Sequence, residues 1–166
     1  MDDVKKITTL REKYVKKDIK KIAIPNGVKH IRYYAFWNCT SLKSIEIPES
    51  VTSIGHWAFW NCMSLKSIKI PKSVESIGFN AFQNCTSLES IEIPKSVESI
   101  GESAFKNCTS LKNIEIPKSV EYIGFRVFSN CTSLEEVIFK GKTIDQVKAM
   151  DNYPWNIKDK SIIKCS

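Results

Sequence analysis

Histidine is nearly absent: the 166 residues contain two, His30 and His56. Two unrelated imidazoles support neither a serine–histidine–aspartate arrangement nor a histidine-rich metal site. No apolar run approaches the roughly 20 residues a membrane helix needs, so no membrane insertion is expected. The start, Met1-Asp2-Asp3-Val4-Lys5-Lys6, has no apolar stretch behind it. That predicts no signal peptide and a cytoplasmic chain; a leader already trimmed would make it a surface or secreted protein. There are six cysteines and no Cys-x2-Cys pair, the spacing zinc sites favour. No metal, cofactor or catalytic residue is assigned, and the chain is read as a non-enzyme.

What is present is ordinary in amount. Hydrophobic residues make up 42% and charged residues 26%, too apolar for a disordered chain. The formal charge is +7, and its location matters more than its size. Residues 1–24 carry eight Lys/Arg against four Asp/Glu, and residues 140–166 carry six against three. The body, 25–139, carries eleven of each. A continuous basic face for nucleic acid is therefore not expected along the body.

A repeat decides the architecture. Cys39, Cys62, Cys85, Cys108 and Cys131 fall 23 residues apart. The same period holds for Pro25, Pro48, Pro71, Pro94 and Pro117, and for Phe36, Phe59, Phe82, Phe105 and Phe128. A fixed period in this range marks a solenoid whose coils stack, since no coil buries its own apolar face alone. Ile91-x-Ile93 alternates as a half-buried strand does, and Pro94 ends it by removing a ladder donor. Val97 and Ile100 turn inward again, and Gly101 is expected to supply a special backbone angle at a corner. Stacked Ile-x-Ile segments make one parallel sheet. Each Phe fills the same pocket of its coil, and the cysteines form a ladder of small buried hydrophobes.

The unit Leu-x-x-Ile-x-Ile-Pro-x-x-Val-x-x-Ile-Gly-x-x-Ala-Phe-x-x-Cys resembles the BspA-type (Treponema-type) leucine-rich repeat over residues 18–139. Arg32 replaces the glycine in the first unit and Val127 the alanine in the last. The resemblance implies an α/β leucine-rich-repeat solenoid, mainly β. Its parallel sheet lies on one face, with turns and short helical turns on the other. It also implies adhesins and surface antigens that contact proteins.

The ends read as caps. Residues 1–17 form the N-terminal one, with a short helix over 3–15 carrying Val4, Ile7 and Tyr14 at near-helical spacing. In 140–166, Thr143-x-x-Gln146 forms a capping box opening a helix through Met150. Asp151 to Trp155 is turn-like, and 161–165 adds a last strand, with Ile162 at the repeat distance from Phe139.

Two motifs are decoys. Gly141-Lys142-Thr143 sits between strand and helix as a phosphate-binding loop does, but Glu136 stands where that loop needs glycine. Asn38, Asn84, Asn107 and Asn130 each begin Asn-Cys-Thr, formally a glycosylation sequon. The repeat instead places them as corner asparagines whose amides bond to backbone.

Information about partners belongs to the positions the repeat leaves variable. On the strands these are Ser44, Glu46, Ser67, Lys69, Ser90, Glu92, Asn113 and Glu115, small and polar. Around Ala-Phe they are Tyr33, Tyr34 and Trp37 in the first coil, then His56, Trp57 and Trp60, then Phe79, Asn80 and Gln83. In a helical turn Tyr34 and Trp37 share a face, as do Trp57 and Trp60. The expectation is a protein-binding patch of Tyr33, Tyr34, Trp37, His56, Trp57, Trp60 and Phe79, a surface through which a homodimer would also close. The rivals are an intracellular bacterial or phage inhibitor or adaptor with a nucleic-acid-associated partner, and direct nucleic-acid binding. The second would use Lys5, Lys6, Arg11, Lys13, Lys16, Lys17, Lys20 and Lys21, with affinity falling steeply with salt.

Overall fold

A computed structural model describes residues 19–166; the expected helix over 3–15 lies outside the described residues. Each Ile-x-Ile segment is a short strand: β1 (Lys21–Ala23), β3 (Ser44–Glu46), β5 (Ser67–Lys69), β7 (Ser90–Glu92), β9 (Asn113–Ile116) and β11 (Glu136–Phe139). The middle isoleucine points in and its neighbours point out, as in β7 with Ile91 between exposed Ser90 and Glu92. Pairing is parallel at the repeat distance, Ile68 beside Ile91 and Ile91 beside Ile114.

The Ile-x-Ile strands pair as β1–β3 and as β5–β7–β9–β11 with the last strand of the chain, so the expected single sheet is interrupted between β3 and β5, and a further sheet lies beside them. The Val-x-x-Ile stretch contributes two-residue strands: β2 (His30–Ile31), β4 (Ser53–Ile54), β6 (Ser76–Ile77), β8 (Ser99–Ile100) and β10 (Tyr122–Ile123). They align in one five-stranded parallel sheet. The sequence predicts a single sheet, because two residues are too few for alternation to register.

The third side of each coil holds consecutive tight turns, and here the expected helical turns do not form. Alternate N–H groups bond within and between coils. Ala58, Trp60 and Cys62 donate three residues back, while Trp57, Phe59 and Asn61 donate to Phe79, Ala81 and Gln83 of the next coil. The alternation needs two residues per coil in the left-handed region. Tyr34, Trp57, Asn80, Ser103 and Arg126 hold one place, and Asn38, Asn61, Asn84, Asn107 and Asn130 the other. Asparagine tolerates this conformation well, which is why it recurs. The amides also form side-chain ladders: Asn61 donates to Asn38 at 2.6 Å, Asn107 to Asn84 at 2.7 Å and Asn130 to Asn107 at 3.0 Å. Side-chain partners thus take the place of the expected backbone ones.

The repeated glycine serves a different purpose from the expected special angle. A Cβ on Gly101 would lie 2.6 Å from the Phe79 nitrogen, and one on Gly124 would run into the Glu102 backbone. Close approach of successive coils demands glycine, and backbone conformation does not.

Inside, Phe36, Phe59, Phe82, Phe105 and Phe128 stack at 5.1–6.1 Å between centroids. Cys85, Cys108, Cys131 and Cys165 carry reduced thiols. The Cys85 thiol donates to the Phe59 carbonyl and Cys108 to Phe82, each at 3.2 Å. Burial pushes the thiols of Cys85 and Cys108 well up and that of Cys131 up to about 12. An unfolded thiol ionises from about pH 8.5. The unfolded state therefore loses these protons first, and stability falls as pH rises from there toward 12. Below pH 8.5 this contribution is fully present. Alkylation at pH 8 is expected to leave Cys85 and Cys108 unmodified in the folded chain and to label both after unfolding. Rapid native labelling of Cys108 would contradict the buried ladder.

The C-terminal end closes the stack. α1 (Ile144–Lys148) opens with the expected capping box, Thr143 and Gln146 bonding reciprocally. β12 (Ile163–Cys165) pairs with β11, but Val137 meets Ile163 and Phe139 meets Cys165. The offset is 26, so Ile162 is not the partner of Phe139. Asn152 and Asn156, both at positive φ, stand the same 26 residues beyond Arg126 and Asn130. The end is thus a distorted further coil, three residues longer to hold α1. Its core is Trp155, fully buried and 5.3 Å from Phe139.

Candidate protein-contact surface

The variable residues flanking Ala-Phe lie on the turn side and its corner with the sheet of two-residue strands. The seven expected site residues are all at the surface: Tyr33, Tyr34 and Trp37 are exposed, at 58%, 38% and 46%. His56, Trp57, Trp60 and Phe79 are half-buried. Their rings form two groups in place of the single helical face.

The larger group is a cross-coil cluster. Tyr34 stacks on Trp57 at 5.0 Å, and Phe79 meets Trp57 edge-on at 4.9 Å. Tyr33 lies 4.8 Å from His56. The His56 ring is held by its Nδ1, which accepts the Phe79 backbone N–H at 2.7 Å. That bond fixes the proton of the neutral ring on Nε2. The second group is Trp37 stacked on Trp60 at 5.6 Å. Equal positions in successive coils meet, so the 23-residue period, and not the spacing of three within a coil, brings these rings together.

The chemistry of this rim is uniform over three coils. The turn segments 32–41, 55–64 and 78–87 contain no Asp, Glu or Lys; Arg32 is their one fixed charge. Large aromatics carry much contact area at low conformational cost. Exposed Met63 extends the rim. It takes the place of a repeated threonine after the cysteine, a substitution visible in the sequence.

Further apolar exposure lies at Tyr122 and Phe125, 45% and 47%, with the Arg126 guanidinium 4.9 Å over the Phe125 ring. The outward residues of β3, β5 and β7 are polar and exposed. Of the basic residues named for nucleic acid, Lys20 and Lys21 are exposed and the other six lie outside the described residues. Among the described residues no three His, Cys, Asp or Glu side chains converge as a metal site requires. No helix among them is long and apolar enough to cross a membrane.

Comparison with known proteins agrees with this geometry. The profile of the BspA type leucine rich repeat region matches residues 10–135 in six copies. A leucine rich repeat protein of T. pallidum is 35% identical, with a TM-score of 0.69 over 71% of this chain and 57% of its own. A leucine rich cell surface protein of Faecalibacterium prausnitzii is 36% identical, with a TM-score of 0.78 over 84% of this chain and 37% of its own. The chain thus spans less than two thirds of either relative. A leucine-rich repeat protein of Bacteroides ovatus is 27% identical, with a TM-score of 0.52 over 89% of this chain and 54% of its own. No curated protein matches the chain. On the repeat, the parallel stacked coils and the profile together, the chain belongs to the BspA-type leucine-rich repeat family.

Proposed function

We propose that the chain is a non-enzymatic protein-binding module that contacts its partner through the aromatic rim of its first three coils. The observation that carries this is a row of exposed and half-buried rings on a frame whose outward strand positions in β3, β5 and β7 are small or charged. The coils hold the rings at fixed spacing, so little conformational entropy is lost on docking. Leucine-rich repeats are commonly protein-interaction modules, which supports the reading. The likeness to a cell surface protein of F. prausnitzii favours contact at a cell surface over the cytoplasmic setting expected from the start of the chain.

The test is capture of binding proteins by the full chain and by a Tyr34→Ser, Trp57→Ser, Trp60→Ser variant of unchanged fold. A protein held by the first and at least tenfold less by the second is expected, since truncating anchor rings costs about 2 kcal/mol each. Equal retention would move the contact to the strand face or the basic ends. Steep loss of nucleic-acid binding between low and physiological salt would favour the basic ends.

A further inference from the structure

The five residues that follow the glycine position of each coil read, from coil one to coil five, Tyr33, His56, Phe79, Glu102 and Phe125. Tyr33, Glu102 and Phe125 are exposed, and His56 and Phe79 are half-buried. Read in reverse, the row complements itself. Tyr33 falls opposite Phe125, His56 opposite Glu102, and Phe79 opposite Phe79. Such a pattern suits an isologous two-fold contact, in which the same surface serves both subunits.

We propose that this row pairs with a second copy of the chain across a two-fold axis that passes through coil three. The axis lies in the interface and across the solenoid, so coil order is inverted while each row still faces its own kind. The inference rests on the rim being a protein-contact surface and names the occupant of this one row.

The flanking rows agree. In the row after it, Tyr34 faces Arg126, a ring against a guanidinium. Trp57 faces the small Ser103. On the other side exposed Lys29 faces exposed Glu121, and His30 faces Tyr122. Glu75 faces itself at the margin, the one like-charge meeting in these rows. The alternative two-fold, along the solenoid axis through this row, sets Glu102 on Glu102 and so is disfavoured electrostatically. The row spans four coil spacings, about 19 Å at the spacing of parallel strands. That length fits a small, reversible interface.

Sedimentation equilibrium of the full chain from about 1 μM to 1 mM, the range of weak interfaces, tests the pairing. The wild type is expected to move from monomer toward dimer. Phe79→Glu and Phe79→Lys each place like charges on the axis and are expected to stay monomeric, while their equimolar mixture dimerises. Thermal melts establish that both variants fold. Should either fail to fold, exposed Glu102→Lys is the substitute, expected to weaken the dimer about tenfold by facing His56 with a cation. A wild type monomeric throughout would overturn the proposal, as would a dimer indifferent to Phe79→Glu or Glu102→Lys. A monomeric wild type whose captured partner is still lost with Trp57 and Trp60 would leave the protein-binding reading standing.

Discussion

Replacing Phe82 by alanine is expected to cost about 3–5 kcal/mol, a large share of the roughly 5–15 kcal/mol that holds a domain of this size together. Phe82 is fully buried at the middle of the ring ladder, 5.2 Å from Phe59 and 5.6 Å from Phe105, almost parallel to both. Its neighbours have little freedom to fill the gap, because their backbones are tied coil to coil through Phe59 to Ala81 and Phe82 to Ala104. The cavity therefore persists and two ring contacts are lost. Urea unfolding of the variant reads the cost directly. A loss below about 1 kcal/mol would show that the coils collapse around the gap, contrary to the close packing described.

Trp155→Ala is expected to cost a similar amount, about 3–5 kcal/mol, but to act at one end. Trp155 is fully buried, stacks on Phe139, meets Tyr153 edge-on at 5.4 Å and donates its indole N–H to the Asp151 carbonyl at 2.9 Å. In a stack where each coil touches only its neighbours, loss of a terminal plug frays the nearest coil first. Hydrogen exchange should quicken in β12 and β11 while β5 and β7 keep their protection. Uniform acceleration through all the strands would contradict the nearest-neighbour picture.

The repeat made most of the core legible. Ile91, Val97, Ile100, Phe105, Cys108 and Leu111 point inward as their periodic recurrence requires. Thr143 and Gln146 announced the terminal helix because a capping box is a local signal. Other features had no local signal. Trp57 at φ 53 carries no mark of the left-handed region, since a tryptophan is an unusual occupant of it. Gly101 reads as a corner residue because its requirement lies in the preceding coil, against Gly78 and Phe79. The last strand was displaced by three residues because α1 was inserted without any break in apolar pattern. The rim residues were legible by a different logic, as the large rings standing where the repeat is free to vary. Their grouping was not, because it follows stacking between coils and not spacing within one.

If the rings of the rim serve contact and those of the ladder serve the fold, their removal has different costs. Comparing the unfolding free energy of a Trp37→Ser, Trp60→Ser variant with that of Phe82→Ala tests it most directly. The Trp37–Trp60 stack lies at the surface, and a stacked pair contributes about 0.5–1.5 kcal/mol beyond the area it buries. The expected loss is that stacking contribution plus the area half-buried Trp60 gives up, still below the loss for Phe82→Ala, with protein capture weakened. A loss equal to that of Phe82→Ala, with capture unchanged, would assign these tryptophans to the fold and leave the rim without its proposed role.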